Sequence, residues 1–219
     1  MLKVAVVDSG INPFHSHIGT VAGGISFVPP DQTLQEQWLD KLGHGTAVAA
    51  AIYEKEPAVE MYAVKIFDRS FSTKIEPVIE SLEWCIENKM DLVNLSLATV
   101  KAAHRVLLED VTRRVNILVA PFDFVGLPAY PGSFPWVFGV SPDPDCERDI
   151  CRMGSEGHFW ASPFPRSLPG LPVQNNFSGP SFAVANFSGI LCRTLVQNNI
   201  RTAEELRKLL DSFHKSWRS

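Results

Sequence analysis

The chain has 219 residues, a hydrophobic content of 45% and a formal net charge of −4 at pH 7. It contains no strongly basic run and no apolar stretch of the roughly 18 residues that a membrane span requires, which argues against nucleic acid and membranes as partners. This length suits one α/β domain over residues 1–219. The N-terminal sequence MLKVAVVDSG lacks the features of a signal peptide, so we expect a cytoplasmic protein.

Short apolar runs alternate with helical patterns through the first half of the chain. The strand-like runs are KVAVVD, VEMYAVKIF, DLVNLSL and NILVAP, and the helical segments among them are GHGTAVAAAIYEK, KIEPVIESLEWCIENK and AAHRVLLEDVTRR. Strands that alternate with helices form βαβ crossovers, and these crossovers build parallel sheets covered by helices. The sequence therefore predicts an α/β fold with a mainly parallel sheet and helices on both of its faces.

The second half of the chain has a different amino-acid composition. Residues 121–172 are rich in proline, glycine and aromatic residues, with the short strand-like runs WVFGV and HFWAS, which predicts a loop-rich binding region. A helix is predicted from Ser181 to about Gln197, and a last helix begins with Thr202 as N-cap and Glu205 as its capping-box partner. The apolar stripe of this last helix consists of Leu206, Leu209, Leu210, Phe213 and Trp217.

Several residues that could bind a metal have simpler interpretations. Cys146 and Cys151 fit no common zinc spacing, and free thiols are expected, with a disulfide or a metal site as alternatives. His15 and His17 follow the first strand closely, but a surface turn explains them better than a metal site does. A solvated loop is the interpretation of the acidic set, Asp143, Asp145, Glu147 and Asp149. The sequence predicts no metal and no other cofactor.

Three polar residues stand where parallel-sheet enzymes gather their catalytic groups. Asp8 ends the first predicted strand, while His44, between two glycines, and Ser181, after Gly-Pro, each open a predicted helix. Acyl transfer by a serine hydroxyl needs a base such as imidazole, and a carboxylate that orients the imidazole. Taken singly, each residue is equally typical of a turn or a helix cap, and Ser181 of an N-cap. Together they predict a nucleophile, its base and an orienting carboxylate.

The motifs VAVVDSGIN, GHGTAVAAAI and SGPSFAVA, in that order, resemble those of the subtilisin family of serine peptidases. The stretches DLVNLSLA, YPGSFPWVFGVSP and HFWASP extend the resemblance to the end of the Ser181 helix. The resemblance implies a serine endopeptidase for a peptide or protein substrate, with Asp8, His44 and Ser181 as its triad. A bound peptide would add as an extra strand along a groove edge, although a plain core strand is the alternative. The residues implied at that edge are Ser96, Leu97 and Ala98.

Two departures from the family pattern concern the oxyanion hole. Pro180 and Phe182 replace the usual threonine and methionine, but the N–H of Ser181, the backbone donor that the family uses, is retained. The family also places an asparagine amide in the oxyanion hole, and here an alignment sets either Asp123 or Phe124 at that point. We favour Asp123, because phenylalanine has no donor. A protonated carboxyl could donate to the oxyanion, whereas an ionised one would repel it.

A third departure is length, since the chain begins at its first strand without a signal or a propeptide. This trimmed form favours an intracellular peptidase of narrow specificity that matures one precursor peptide. Two alternatives stay open. In transamidation, a peptide amine replaces water at the acyl-enzyme and closes a macrocycle. A non-catalytic peptide-binding module would have kept the fold and lost turnover.

Overall fold

A computed structural model of the chain describes residues 1–30, 36–154, 157–172 and 175–216, with side chains as far as residue 212. The strands are β1 Lys3–Asp8, β2 Val21–Ser26, β3 Glu60–Lys65, β4 Leu92–Leu95, β5 Ile117–Pro121, β6 Asp123–Phe124, β7 Leu127–Pro128, β8 Phe138–Pro142, β9 Cys151–Met153 and β10 Phe159–Ala161. The helices are α1 His44–Tyr53, α2 Ile75–Glu87, α3 Ala102–Arg114, α4 Pro180–Asn198 and α5 Ala203–Ser216.

The main sheet has eight strands in the order β2-β3-β1-β4-β5-β8-β10-β9. All of its neighbouring strands pair in parallel except β9, which is antiparallel to β10. Strands β6 and β7 form a separate antiparallel hairpin directly after β5. The central strands are reached by helical crossovers, as the alternating sequence pattern requires.

Helices cover both faces of the sheet, and successive residues of β1 explain how. Val4 and Val6 belong to an apolar cluster formed with α1, α4 and α5, whereas Ala5 and Val7 belong to a second cluster formed with α2 and α3. Side chains alternate between the two faces of a strand, so an unbroken apolar run is buried on both sides. The predicted three-layer α/β/α architecture is therefore confirmed.

The helices begin and end close to their predicted bounds. Helix α3 covers the segment AAHRVLLEDVTRR, and α4 is one residue longer at each end than predicted. The capping box is present, since the N–H of Glu205 donates to Thr202 Oγ1 and the N–H of Thr202 donates to Glu205 Oε2, each at 3.3 Å. Leu206 is buried, while the side chain of Phe213 and the whole of Trp217 lie outside the described residues.

The carboxyl ends of β1, β4 and β5 lie side by side, because these strands are parallel neighbours. Asp8 is the last residue of β1, Ser96 follows β4 directly, and Asp123 comes two residues after β5. The N-termini of α1 and α4 bring His44 and Ser181 to the same edge of the sheet. This edge therefore collects the polar residues that the sequence singled out.

The cysteines are all free thiols in the structure. Burial raises the pKa of Cys151 to about 11, so this thiol stays protonated at neutral pH. Within the described ranges, no group of three or more His, Cys, Asp and Glu side chains is arranged to hold a metal ion. In the same part of the chain, every helix is too short or too polar to cross a bilayer.

Candidate active site

Asp8 and His44 form a close hydrogen-bonded pair. The carboxylate of Asp8 is fully buried, and its two oxygens lie 2.8 and 2.9 Å from His44 Nδ1. The N–H of Ser9 also donates to Asp8 Oδ1, at 2.7 Å. Because an ionised carboxylate only accepts hydrogen bonds, the imidazole proton lies on Nδ1 and leaves Nε2 as an acceptor. The pair thus holds the imidazole in the tautomer that a general base needs.

The start of α1 approaches the end of β1 unusually closely, and Gly45 permits this approach. A Cβ atom at Gly45 would lie 2.2 Å from the carbonyl oxygen of Gly10 and 3.2 Å from the Asp8 carboxylate. The N–H of Gly45 donates instead to the hydroxyl of Ser9 at 2.9 Å. The glycine after His44 is therefore needed for the helix to bring the imidazole onto Asp8.

Asp40 fixes the loop that leads into α1. Its Oδ1 accepts hydrogen bonds from the Ser9 hydroxyl and from the N–H groups of Leu42 and Gly43, at 2.9 to 3.0 Å. Its Oδ2 accepts from the N–H of Thr46 at 2.9 Å and from the Thr46 hydroxyl at 2.6 Å. The sequence analysis missed this residue, although an aspartate shortly before a helix is a recognisable cap signal. Asp40 ties β1 to α1 and so positions His44.

Ser181 lies in the first turn of α4, one residue after Pro180. The N-cap of α4 is Gly179, with a φ of 140° that favours glycine, and no side chain caps this helix end. Interpreting Ser181 as an N-cap was therefore wrong. Its hydroxyl donates to the carbonyl oxygen of Ser96 at 3.1 Å, so its single proton is directed at Ser96 and not at His44.

A buried polar chain holds the segment after β4 against α4. The hydroxyl of Ser188 donates to Asn94 Oδ1 at 3.0 Å, and Asn94 Nδ2 donates to Ser96 Oγ at 2.7 Å. Asn94 and Ser188 are fully buried, so both groups need these partners. The chain fixes the position of Ser96 relative to the helix that carries Ser181.

One cleft brings the predicted site residues together. It has a volume of about 250 Å³, and all the predicted residues except Asp8, which is buried behind His44, line it. The lining residues from the sequence analysis are His44, Ser96, Leu97, Ala98, Asp123 and Ser181. Leu97 and Ala98 are partly exposed there, whereas Ser96 is buried.

Three phenyl rings surround the imidazole of His44. The ring of Phe71 lies 4.9 Å from it, that of Phe182 5.2 Å and that of Phe177 5.8 Å, measured between centroids. Phe182 is buried, whereas Phe71, which lines the cleft, and Phe177, which lines a separate cavity, are exposed. Sequence reasoning missed Phe71 and Phe177, because ring contacts across a fold leave no periodic signal. The rings pack around the imidazole and limit its rotation.

Asp123 faces the same cleft from strand β6. Its Oδ1 accepts a hydrogen bond from the hydroxyl of Ser141 at 3.1 Å. The neighbouring Phe124 also lines the cleft, and 60% of it is exposed. The carboxyl group thus acts as an acceptor in this structure, whereas an oxyanion hole requires donors.

His15 and His17 lie in the turns after β1, away from this cleft. Their rings meet edge to face at 5.1 Å, and the backbone N–H of His17 donates to His15 Nδ1 at 3.2 Å. Burial, helped by the nearby Arg166, lowers the pKa of His17, so its ring is neutral at pH 7. Both histidines line a separate cavity beside α1.

Comparison with known proteins gives the family. The family model described as "Subtilase family" matches residues 1–119, more than half of the chain. The chain belongs to the subtilase family. It is 30% identical to the subtilase named minor extracellular protease Epr, from Bacillus subtilis strain 168, over 94% of its own length and 34% of the length of Epr. The chain therefore spans about a third of that relative.

Two solved protease structures share the fold. A cold-adapted subtilisin-like serine proteinase superposes with a TM-score of 0.71 and 21% identity, over 96% of this chain and 81% of that one. A lanthipeptide protease superposes with a TM-score of 0.70 and 15% identity, over 95% of this chain and 78% of that one. At these identities the likeness concerns the fold.

Proposed function

We propose that this chain is a subtilisin-type serine endopeptidase that cleaves peptide bonds through an acyl-enzyme. The observation that carries the proposal is the Asp8–His44 hydrogen bond of 2.8 Å at the wall of the cleft that Ser181 lines. Family membership supports the same activity. We further propose that residues 1–219 form one catalytic domain.

The reaction begins with a rotation of the Ser181 side chain. Its hydroxyl leaves the carbonyl of Ser96 and turns toward His44 Nε2, which takes its proton as Oγ attacks the peptide carbonyl. Asp8 stabilises the resulting imidazolium. His44 then gives the proton to the leaving amine, and water hydrolyses the acyl-enzyme by the same route in reverse. The N–H of Ser181, at the N-terminus of α4, faces the developing oxyanion.

The acyl half of the substrate lies along Ser96, Leu97 and Ala98 as an added strand. A recess of about 230 Å³ continues the cleft on this side, and Phe67, Phe71 and Leu97 line both spaces. Such a recess favours an apolar side chain a few residues before the scissile bond. The exposed phenyl rings around His44 narrow the approach further and favour an extended, poorly structured substrate.

The natural substrate that we propose is a precursor peptide. The lanthipeptide protease, whose fold this chain shares, acts by its name on lanthipeptides. A cytoplasmic location remains a prediction from the sequence, and the name of Epr shows that subtilase relatives also act outside the cell. Hydrolysis and transamidation use the same acyl-enzyme, and the mass of the product separates them.

A peptide library read by mass spectrometry, together with a fluorophosphonate probe, tests this function. We expect labelling and cleavage by the wild type, and Ser181→Ala should abolish labelling and lower kcat by at least about 10³-fold. Ser178→Ala, in the same loop but exposed, is the matched control and should keep both activities. A folded wild-type protein that neither cleaves nor labels would support the second candidate, a non-catalytic peptide-binding module. The acceptor role of Asp123 is the observation that favours this candidate.

A further inference from the structure

A second cavity is lined by Phe177, whose ring also lies 5.8 Å from the imidazole of His44. It has a volume of about 350 Å³, and its polar lining includes Asn12, His15, His17, Lys41 and Arg166. We propose that this basic recess binds an acidic side chain of the substrate, in the segment that follows the scissile bond. The inference rests on the proposed peptidase function and adds a substrate class to it.

Arg166 supplies positive charge that its own partner does not neutralise. Its Nε lies 3.7 Å from Glu54 Oε1, and 36% of its side chain is exposed. Both carboxylate oxygens of Glu54 already accept hydrogen bonds from Arg148. One carboxylate therefore serves two guanidinium groups, and the recess keeps an excess of positive charge.

Lys41 places a second cation at the recess. Its Nζ lies 3.6 Å from Asp68 Oδ1, and Lys65 and Arg69 also pair with that carboxylate, at 3.6 and 3.7 Å. The carboxylate lining the recess itself is Asp40, and its oxygens already accept hydrogen bonds from Ser9, Leu42, Gly43 and Thr46. Among the described lining residues, an incoming carboxylate therefore meets cations and a single carboxylate whose oxygens are already hydrogen-bonded.

The histidines and Asn12 add hydrogen-bond donors to the recess. His15 Nδ1 accepts the backbone N–H of His17, which leaves Nε2–H as the donor of the His15 ring. Asn12 Oδ1 accepts the N–H of Phe14 at 3.0 Å, which leaves the amide NH₂ of Asn12 as a donor. Donors and cations that converge on one cavity suit a carboxylate better than a neutral amide.

The direction of the substrate places its leaving half at this recess. In the proposed function, the acyl half runs along Ser96 to Ala98, and His44 protonates the amine on the other side. Phe177 separates that point from the recess, with its ring centroid 5.8 Å from the imidazole. An extended peptide advances by about 3.3 Å per residue, so the second to fourth residues after the scissile bond reach the recess.

Paired substrates test the inference directly. Each pair carries Glu or Gln at the second, third or fourth residue after the scissile bond, and kcat/KM is measured for both members. We expect the wild type to prefer Glu by about 10-fold at one of these positions, and to lose the preference as the salt concentration rises. In Arg166→Gln, the ratio of kcat/KM for the Glu peptide to kcat/KM for the Gln peptide should fall close to one, while kcat/KM for the Gln peptide stays unchanged. Arg166→Lys should retain part of the preference for Glu.

Two further variants separate this site from general electrostatics and from misfolding. Lys41→Gln should also lower the preference for Glu, so it provides a second test of the inference if Arg166→Gln fails to fold. Arg105→Gln also removes one positive charge, but from a side chain that packs over the ring of Tyr130, and it should leave the preference for Glu unchanged. If the wild type cleaves without a preference for Glu, or if Arg105→Gln loses this preference as much as Arg166→Gln does, the inference is overturned and the proposed function is not affected. Absence of all cleavage and probe labelling would instead overturn the proposed function.

Discussion

Asp123 is the residue in the cleft whose chemistry suits acyl transfer least. It lines the cleft beside Ser181 and accepts a hydrogen bond from Ser141, while the subtilisin pattern places a donor amide at this point. A hydrogen-bond donor aimed at the oxyanion stabilises the transition state, whereas an acceptor provides no stabilisation or repels the oxyanion. The backbone N–H of Ser181 would then carry most of the oxyanion stabilisation. Such an enzyme would turn over slowly.

Replacing the carboxyl group by an amide should therefore accelerate the reaction. In Asp123→Asn, the new NH₂ donor can reach the oxyanion, and we expect kcat near neutral pH to rise by about 10-fold or more. Single-turnover kinetics on a cleaved library peptide measure the effect on the chemical step. Asp123→Leu, which has no donor, is the control and should show no such gain. An unchanged kcat across the pH range in Asp123→Asn would remove Asp123 from the mechanism.

The hairpin formed by β6 and β7 presents apolar side chains on the rim of the cleft. Phe124, Val125 and Leu127 are 60%, 86% and 57% exposed, respectively. Val125 and Gly126 at the turn have φ values of 53° and 76°. A two-residue hairpin turn with both φ values positive is of type I′, which favours Asn-Gly. A β-branched residue is strained in this conformation, and strain of this kind clusters at functional sites.

Relief of that strain should stabilise the protein. We expect Val125→Asn to raise the free energy of unfolding by about 1 kcal/mol, because asparagine tolerates the left-handed region better than valine does. Urea unfolding would show this as a higher midpoint with an unchanged m-value. Val100→Asn is the control at an exposed valine whose φ is not positive. An equal gain in Val100→Asn would mean that lower surface hydrophobicity, and not the turn, is the cause.

The elements with strong local patterns could be predicted from the sequence. Helix α3 matches its predicted segment, and β1 and β4 follow their apolar runs. Strand β2 was missed because VAGGIS contains two glycines, which weaken the strand signal. The β6–β7 hairpin was missed because its strands have two residues each and Val-Gly is an unusual turn pair.

The motifs predicted which residues gather in the site, but not what orients them. Asp8, His44 and Ser181 were identified because strand ends and helix starts mark them in the sequence. Contacts between distant segments have no such mark, so the rings of Phe71 and Phe177 and the polar chain from Ser188 to Ser96 were not foreseen. The rotamer of Ser181 is likewise a result of packing, since its acceptor belongs to another segment.

At the scale of the whole molecule, the seam between α1 and α4 sets the distance between His44 and Ser181. Lys55, just after α1, is buried in this seam, and its Nζ donates to Asn186 Oδ1 at 2.8 Å. Asn186 Nδ2 donates in turn to the carbonyl oxygens of Ser162 and Phe164, at 2.8 and 2.9 Å. One buried cation thus joins both helices to the segment after β10. A lysine is expensive in such a place unless its partners are good.

The ionisation of Lys55 should make stability depend on pH. Burial, together with Arg148, lowers its pKa from 10.5 to about 8 against the opposing effect of Glu54 and Asp149, while Arg193 lowers it further. Between these pH values the unfolded chain binds a proton that the folded protein has released. The free energy of unfolding should therefore rise with pH over this range, by up to about 3 kcal/mol from this group.

The variant Lys55→Met isolates this contribution. This substitution leaves Asn186 Oδ1 without its donor, which lowers the free energy of unfolding by an amount that does not vary with pH. The quantity to compare is therefore the slope of the free energy of unfolding against pH, and not its absolute value. Urea unfolding across the pH range from 8 to 10.5 should give a steeper rise in the wild type than in Lys55→Met. Lys101→Met, at an exposed position, should keep the wild-type slope. If the wild type and Lys55→Met show the same slope, folding does not lower the pKa of Lys55, and the seam between α1 and α4 is held by an ammonium group that stays protonated over this pH range.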